Sequence, residues 1–359
     1  MSHTTPRSDR HRAPLVHRRT LLGGLLGVAA AGLAGCADDD AAPGVELAAA
    51  APLPTAVAPD TELVISIHQT RRALEASGEI GKLPFRVRDW PNIQAGPDVI
   101  QGFRARSIDL ASNAGIPPIQ ARAINVGARI VAVQTKRAPI YRFATAPGGP
   151  VAGVRDLRGK KIGFSQGQAQ GLVVLRTLKE QGLKPTDVKL VTLSSTQFLV
   201  ALQSKQIDVA PLAEPSLTKY LAEYRKDGAT AIPITAVDYL TILWAPQDVL
   251  ADARKAAAIR AFIPYWAQSK VWAHRHPREW IDAYYVKDQG VTAADGARIV
   301  DAEDKPAFPR NWDRALAWQQ ESADLLVAGG FIKPVRAGDL FDRRFETIAA
   351  DAVPAEYRE

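Results

Sequence analysis

Residues 96–111 read GPDVIQGFRARSIDLA, and residues 195–210 read STQFLVALQSKQIDVA. Each stretch opens on small or polar residues and continues for about ten residues with apolar side chains at helical spacing. Each then passes a basic turn and ends in Ile-Asp-Leu/Val-Ala, the pattern of a short buried strand. Ile108 and Ile207 lie 99 residues apart. That interval is a domain length rather than the period of a stacked repeat. The pair predicts two lobes of similar construction within one chain.

Outward from these stretches, strands and helices alternate. Glu62 to Ile67, Phe85 to Trp90, Ile108 to Ser112, Ile130 to Gln134 and Tyr141 to Ala144 read as strands. So do Lys161 to Ser165, Lys189 to Leu193, Ile207 to Leu212 and Leu240 to Trp244. Helices are expected over Pro97 to Arg106, Gly171 to Gln181 and Gln197 to Gln203. This order indicates an α/β fold with largely parallel sheets. After Trp244 the pattern turns helical: Ala256 to Arg275, His276 to Tyr285, Ala293 to Val300 and Trp312 to Val327 carry apolar residues three and four apart. This half reads as a helical cover on one lobe.

The N-terminus has a different chemistry. Arg7, Arg10, Arg12, Arg18 and Arg19 stand against a single acid, Asp9, and precede an apolar run from Leu21 to Ala34. That run has the length of a signal-peptide core and is too short to span a bilayer. Leu33-Ala34-Gly35-Cys36 follows, and Cys36 is the only cysteine in the chain. These residues resemble a bacterial lipoprotein signal. The resemblance implies cleavage before Cys36, lipidation of that residue and anchoring at the outer face of the cell membrane. Arg18-Arg19-Thr20-Leu21-Leu22 also resembles a twin-arginine export motif, so the Sec and twin-arginine routes both remain open. Removing the leader lowers the formal charge from +7 to +3. The remaining chain has no basic block and no nucleic-acid footprint. Residues 36–60, rich in Ala, Pro and Asp, are expected to be a flexible lipidated tether.

The text DLRGKKIGFSQGQAQGLVVLRTLKEQGLKPTDVKLVTL, then ALQSKQIDVAPLAEP and QQESADLLVAGGFIKPVRAGDLFD, resembles the substrate-binding proteins of ABC importers for aliphatic sulfonates, taurine and nitrate. The resemblance runs from Leu63 to Phe345. It implies a two-lobed, type II periplasmic-binding-protein-like fold with a hinge and a C-terminal helical cover. Lobe 1 would comprise 61–143 and 239–350, lobe 2 would comprise 144–238, and 351–359 would be a tail. The hinge strands would cross near Phe143 and Tyr239. The implied function is extracytoplasmic capture of a small organic anion and delivery to a membrane permease, by a monomer with no cofactor and no metal. Alternatives are an exported desulfinase-like enzyme on the same fold, a binder of a heterocyclic or nitrate-like ligand, and a sensor without a transport role.

In open α/β sheets, ligands bind beyond the carboxyl ends of the strands, where helix N-termini point. Free N–H groups there suit an anion. The corresponding loops nominate His68, Gln69, Gln94, Gly96, Asn113, Ala114, Gln168, Ala169, Ser194 and Glu214 as ligand-binding residues. Substitution of Asn113 or Gln168 by Ala is expected to weaken binding with little change in Tm. Two departures from the family pattern stand out. Ala114-Gly115-Ile116 precedes Pro117-Pro118 where relatives often carry Gly-Asp, which removes an acidic partner for a ligand amine. Gln168 stands where relatives often place Ser. Glu214 either meets a ligand or pairs with Lys219 or Lys205. Trp244 either walls the cleft or belongs to the core. Similar desulfinases use a cysteine after the first strand, where this chain reads Ser66-Ile67-His68-Gln69. His274 and His276 lie two apart on a helix, off a common face.

Overall fold

A computed structural model describes residues 46–359. The leader, Cys36 and the first part of the tether lie outside the described residues. The strands are β1 Glu62–Ser66, β2 Arg86–Asp89, β3 Leu110–Ala114, β4 Ala128–Thr135, β5 Tyr141–Thr145, β6 Lys161–Phe164, β7 Lys189–Thr192, β8 Val209–Ala213, β9 Ala231–Pro233 and β10 Leu240–Pro246. The helices are α1 His68–Ser77, α2 Gly96–Arg104, α3 Ile116–Ala123, α4 Ala169–Glu180, α5 Phe198–Gln203, α6 Ser216–Tyr224, α7 Gln247–Ala251, α8 Ala253–Arg275, α9 Pro277–Trp280, α10 Ala293–Asp301, α11 Asp313–Ala328 and α12 Ile348–Asp351.

The strands form two sheets of five, ordered β2-β1-β3-β10-β4 and β7-β6-β8-β5-β9. The orders are the same once β1–β4 are matched to β6–β9. In each sheet the first three strands are parallel, and one antiparallel strand sits between the third and the edge. That inserted strand is β10 in the first sheet and β5 in the second. Each is reached by a chain arriving from the other sheet, so the lobes are joined twice.

The paired stretches of sequence explain the repeat at atomic level. In α2–β3, Asp109 accepts the Val64 N–H at 2.8 Å, and its own N–H reaches Val64 O at 2.9 Å. In α5–β8, Asp208 does the same with Lys161 at 2.7 and 2.8 Å. The basic turns before them place Arg106 and Lys205 in the left-handed region, with φ of 53° and 55°. Each Ile-Asp unit therefore clamps the strand beside it and sets the register of the parallel pair.

The joins run over residues 136–140 and 234–239, so the first lies just before Phe143. Lys136 N donates to Tyr239 O at 2.8 Å, and Lys136 Nζ reaches Asp238 Oδ2 at 3.1 Å. Asp238 is buried, and burial raises its carboxyl pKa against the opposing pull of Lys136.

One apolar core, including Leu63, Ile65, Trp244 and Phe262, extends through the first sheet to Leu172 and Val173 of α4. A smaller one lies under α5 and α6, around Phe198, Ile207 and Tyr220. The helical half does more than cover one lobe. Helix α8 packs on α1 and β1, whereas α11 touches both α3 and α4. Gln319 Nε2 donates to Gly115 O, and the Arg176 guanidinium lies 4.9 Å from the Trp318 ring centre.

Two expectations need correction. From Glu46 onward the tether segment does not stand free. Leu47 N donates to Ala251 O at 2.6 Å, Arg344 Nη1 donates to Ala51 O at 3.1 Å, and Leu53 and Val57 pack on the core. Its scattered apolar residues are enough to dock it. Nor is 351–359 a tail: Tyr357 is buried, Phe308 N donates to Tyr357 O at 2.8 Å, and Thr135 Oγ1 donates to Glu359 Oε2 at 2.8 Å.

Asp109 is almost fully buried and also pairs with Lys255 at 2.7 Å, whereas the Asp208 clamp is more open to solvent. Asp109→Ala is expected to lower unfolding free energy by about 1–3 kcal/mol, because it strands a buried Val64 N–H. Asp208→Ala should cost less, as read by urea denaturation of both variants.

Candidate functional site: a cleft between the two lobes

The carboxyl ends of β1, β3, β6 and β8 face one another across the gap between the sheets. They enclose a cavity of about 460 Å³. His68, Gln69, Gln94, Gly96, Asn113, Ala114, Gln168, Ala169 and Glu214 all line it. Ser194 does not; Ser195 and Thr196 line the cavity in its place. Ser194 instead opens the turn leading to α5, where its N–H donates to Gln197 Oε1 at 2.9 Å and its hydroxyl accepts from Thr196 Oγ1 at 3.1 Å.

Helix ends make the walls. Helices α1, α2 and α4 begin at His68, Gly96 and Ala169, and none has a side-chain cap. The first N–H groups of α1 and α4 have no intrahelical partner, whereas α2 offers only that of Gly96, since Pro97 has none and Asp98 N bonds Ala95 O at 3.0 Å. Helix α3 contributes far less, because Pro117 and Pro118 have no N–H to offer. Gly171 allows α4 to start so close to its strand: a Cβ there would fall 2.2 Å from Ser165 O. The approach at Gly96 is to protein. A Cβ would lie 2.3 Å from Pro117 Cγ and 3.2 Å from Gly167 O, so the lobes touch at this edge of the cleft.

Several nominated side chains have prior partners. Asn113 Oδ1 accepts from the fully buried Trp244 indole N–H at 2.8 Å, and Asn113 Nδ2 donates to Gln94 O at 3.0 Å. Trp244 is thus core, and Asn113 is its polar lid. Glu214 pairs with neither Lys219 nor Lys205. Its Oε2 accepts from Thr218 N at 3.0 Å and Thr218 Oγ1 at 2.7 Å, and its Oε1 meets Arg298 of α10 at 3.1 Å. That ion pair spans the cleft, since α10 belongs to the helical cover. His68 Nε2 lies 2.8 Å from Asp288 Oδ2, and Arg72 Nε lies 2.7 Å from Asp288 Oδ1. Burial opposes the Asp288 charge, but bonds from His68, Gln289 and Arg72 hold its pKa below the usual carboxylate range.

Gln168 is different. Its Oε1 accepts from the Ser165 hydroxyl and from Ser195 N, the latter at 3.0 Å. Its Nε2 forms no hydrogen bond among the described residues, and the residue lines the cavity.

The sequence reading missed the wall supplied by the helical cover. Lys270 of α8, Tyr284 of the π-helical segment Ile281–Val286, and Gln289 all line the cavity. Gln69 links two of them: its Oε1 accepts from Lys270 Nζ at 3.2 Å and its Nε2 reaches the Tyr284 hydroxyl at 3.3 Å. Burial pushes the Tyr284 phenol up to about 12. A signal for Lys270 was present, because it continues the apolar stripe Ile263, Trp266, Ala267 of its own helix. Among the described residues, no cluster of three or more His, Cys, Asp or Glu side chains is arranged to hold a metal ion.

The family profile described as NMT1/THI5-like matches residues 94–280. The chain belongs to the NMT1/THI5-like family. A relative within reach is the putative aliphatic sulfonates-binding protein of Escherichia coli (strain K12), 27% identical over 248 residues that cover 68% of this chain and 75% of that protein. The alkanesulfonate-binding protein SsuA from Xanthomonas axonopodis pv. citri, solved bound to MOPS, superposes with a TM-score of 0.68 at 19% identity, over 84% of this chain and all of that one (100%). The desulfurization enzyme DSZB shares the fold with a TM-score of 0.54 at 16% identity, over 81% of this chain and 99% of that one. The fold of this NMT1/THI5-like chain is thus the type II periplasmic-binding-protein fold.

The Asn113 geometry revises the expectation of an unchanged Tm. Asn113→Ala leaves a buried indole N–H without an acceptor and should cost about 1–3 kcal/mol of stability, measured by urea denaturation of the ligand-free protein.

Proposed function

We propose that this chain is the extracytoplasmic solute-binding lipoprotein of an ABC importer, and that it captures a small organic anion of the sulfonate class between its lobes. The observation that carries this reading is the convergence of uncapped helix ends. Helix α1 from one lobe and α4 from the other begin at one cavity, with Gly96 N of α2 and the free Gln168 amide beside them. A sulfonate has three oxygens, each able to accept such donors, and helix N-termini favour its charge. The sulfonate-binding relatives support this choice of ligand class. A ligand touching both walls would draw the lobes together about residues 136–140 and 234–239, and the closed form would be the one presented to the permease. The leader resemblance supports export and attachment through Cys36, so Cys36→Ala is expected to release the protein from the detergent phase on partitioning.

An enzymatic reading in the manner of the desulfurization enzyme lacks its chemistry here. Ser66 ends β1, and its hydroxyl is engaged by Pro91 O at 3.0 Å and Ile93 O at 2.9 Å. His68 is bonded to Asp288 rather than to a nucleophile. The loop has backbone clamps where a reactive pair would be needed.

Gln168→Glu tests the anion reading. The substitution keeps the Oε1 acceptor that holds Ser195 N and replaces the free amide donor with a negative oxygen. Calorimetric titration with ethanesulfonate is expected to show binding to the native chain and a loss of about tenfold or more in affinity in the variant. Unchanged or tighter binding by the variant would contradict the assignment.

A further inference from the structure

We propose that Lys270 is the ionic anchor of the ligand in this cleft and that it makes the site selective for anions with an uncharged remainder over zwitterions. The inference rests on the anion-binding reading above and assigns its specificity.

Most charges at the cavity are already paired. Glu214 is committed on both oxygens, to Arg298 and to Thr218. Asp288, behind His68, is committed on both of its own: Oδ1 to Arg72, and Oδ2 to His68 and Gln289. Lys270 is committed to no carboxylate. Among the described residues it forms no ion pair, and its one hydrogen bond goes to the neutral Gln69 Oε1 at 3.2 Å. An ammonium has three donors, so two remain for a ligand. The cavity's carboxylates and cations otherwise cancel in pairs, and the residual charge is that of Lys270.

A half-buried lysine that touches no carboxylate is costly to keep on the apolar stripe of a long helix. Ile263, Trp266 and Ala267 precede it on that stripe and are fully buried, and a methionine would fill the same space at lower cost. An anion arriving in the cleft supplies the missing partner. The same pairing explains the discrimination. The amine of a zwitterion such as 2-aminoethanesulfonate would have to be desolvated in a cavity whose carboxylates are already occupied, and Lys270 would repel it. Ethanesulfonate has no such end.

The titratable and charged groups facing Lys270 are Glu303, which attracts it from beyond ion-pair distance, Lys136, which repels it, the Tyr284 phenol, and the His68–Asp288 pair beyond Gln69. Burial pushes the ammonium down to about 8, against the attraction of Glu303. The charged form, and with it the anchor, is present below that pH and lost as pH rises through it. A sulfonate does not titrate in this range, and Tyr284 stays protonated.

The experiment is calorimetric titration of the mature protein with ethanesulfonate and with 2-aminoethanesulfonate. The native chain, Lys270→Met and Lys270→Arg are compared, with folding checked by circular dichroism. The native chain should bind ethanesulfonate at least about tenfold tighter than the aminosulfonate. Lys270→Met should lose about tenfold or more for ethanesulfonate, and Lys270→Arg should retain most of the affinity. Native affinity should fall about tenfold between pH 7 and 9.5. That pH profile and the native ligand ratio need no variant, so an unfolded Lys270→Met leaves the proposal testable. If the native chain binds ethanesulfonate but Lys270→Met binds it equally well, or the aminosulfonate binds as tightly, the Lys270 assignment is overturned and the anion reading stands. If the native chain binds neither sulfonate, the anion reading itself fails and this assignment falls with it.

Discussion

Each sheet of this protein takes its antiparallel strand from a chain that has just left the other sheet. Strand β5 enters the second sheet from the first, and β10 enters the first from the second. Much else follows from that exchange. The lobes cannot separate, because two segments join them, and Lys136 binds one join to Asp238 and Tyr239 of the other. The carboxyl ends of their parallel strands border one cavity. Helix N-termini, which follow those ends, therefore meet across a gap. The cleft is a consequence of topology first and of side chains second.

The side chains that matter then divide by whether they are already employed. Asn113 and Glu214 look like ligand contacts from their loop positions, but they act as a lid on Trp244 and as half of an ion pair across the cleft. Gln168 and Lys270 keep unused donors. A polar group that lines a cavity but is satisfied by its own protein fixes the shape of the site. One that is unsatisfied is available to recognise a guest.

Much of this was legible in the sequence. The Ile-Asp units at Ile108 and Ile207 announced two similar lobes, and the structure shows why: each aspartate clamps a neighbouring strand through its carboxylate and its own N–H. The loops after the strands fell where the cleft is. Other parts were hidden for physical reasons. Helix α1, HQTRRALEAS, has few apolar residues, since only one side of it is buried, and its start reads as a loop. Trp244 and Arg298, which hold Asn113 and Glu214, lie 131 and 84 positions away, out of reach of any local pattern. The docking of residues 46–60 depends on Arg344 and Ala251, which only the folded chain brings near. Lys270 was visible as a charge on an apolar stripe, but its meaning required knowing that the stripe borders a cavity.

A crystal structure of the mature protein grown with ethanesulfonate decides whether one anion bridges the two lobes. Sulfonate oxygens are expected within hydrogen-bond distance of the α4 start and Gln168 on one side and of Lys270 or the α1 start on the other. A sulfonate seated on one lobe alone, or outside this cavity, would contradict it.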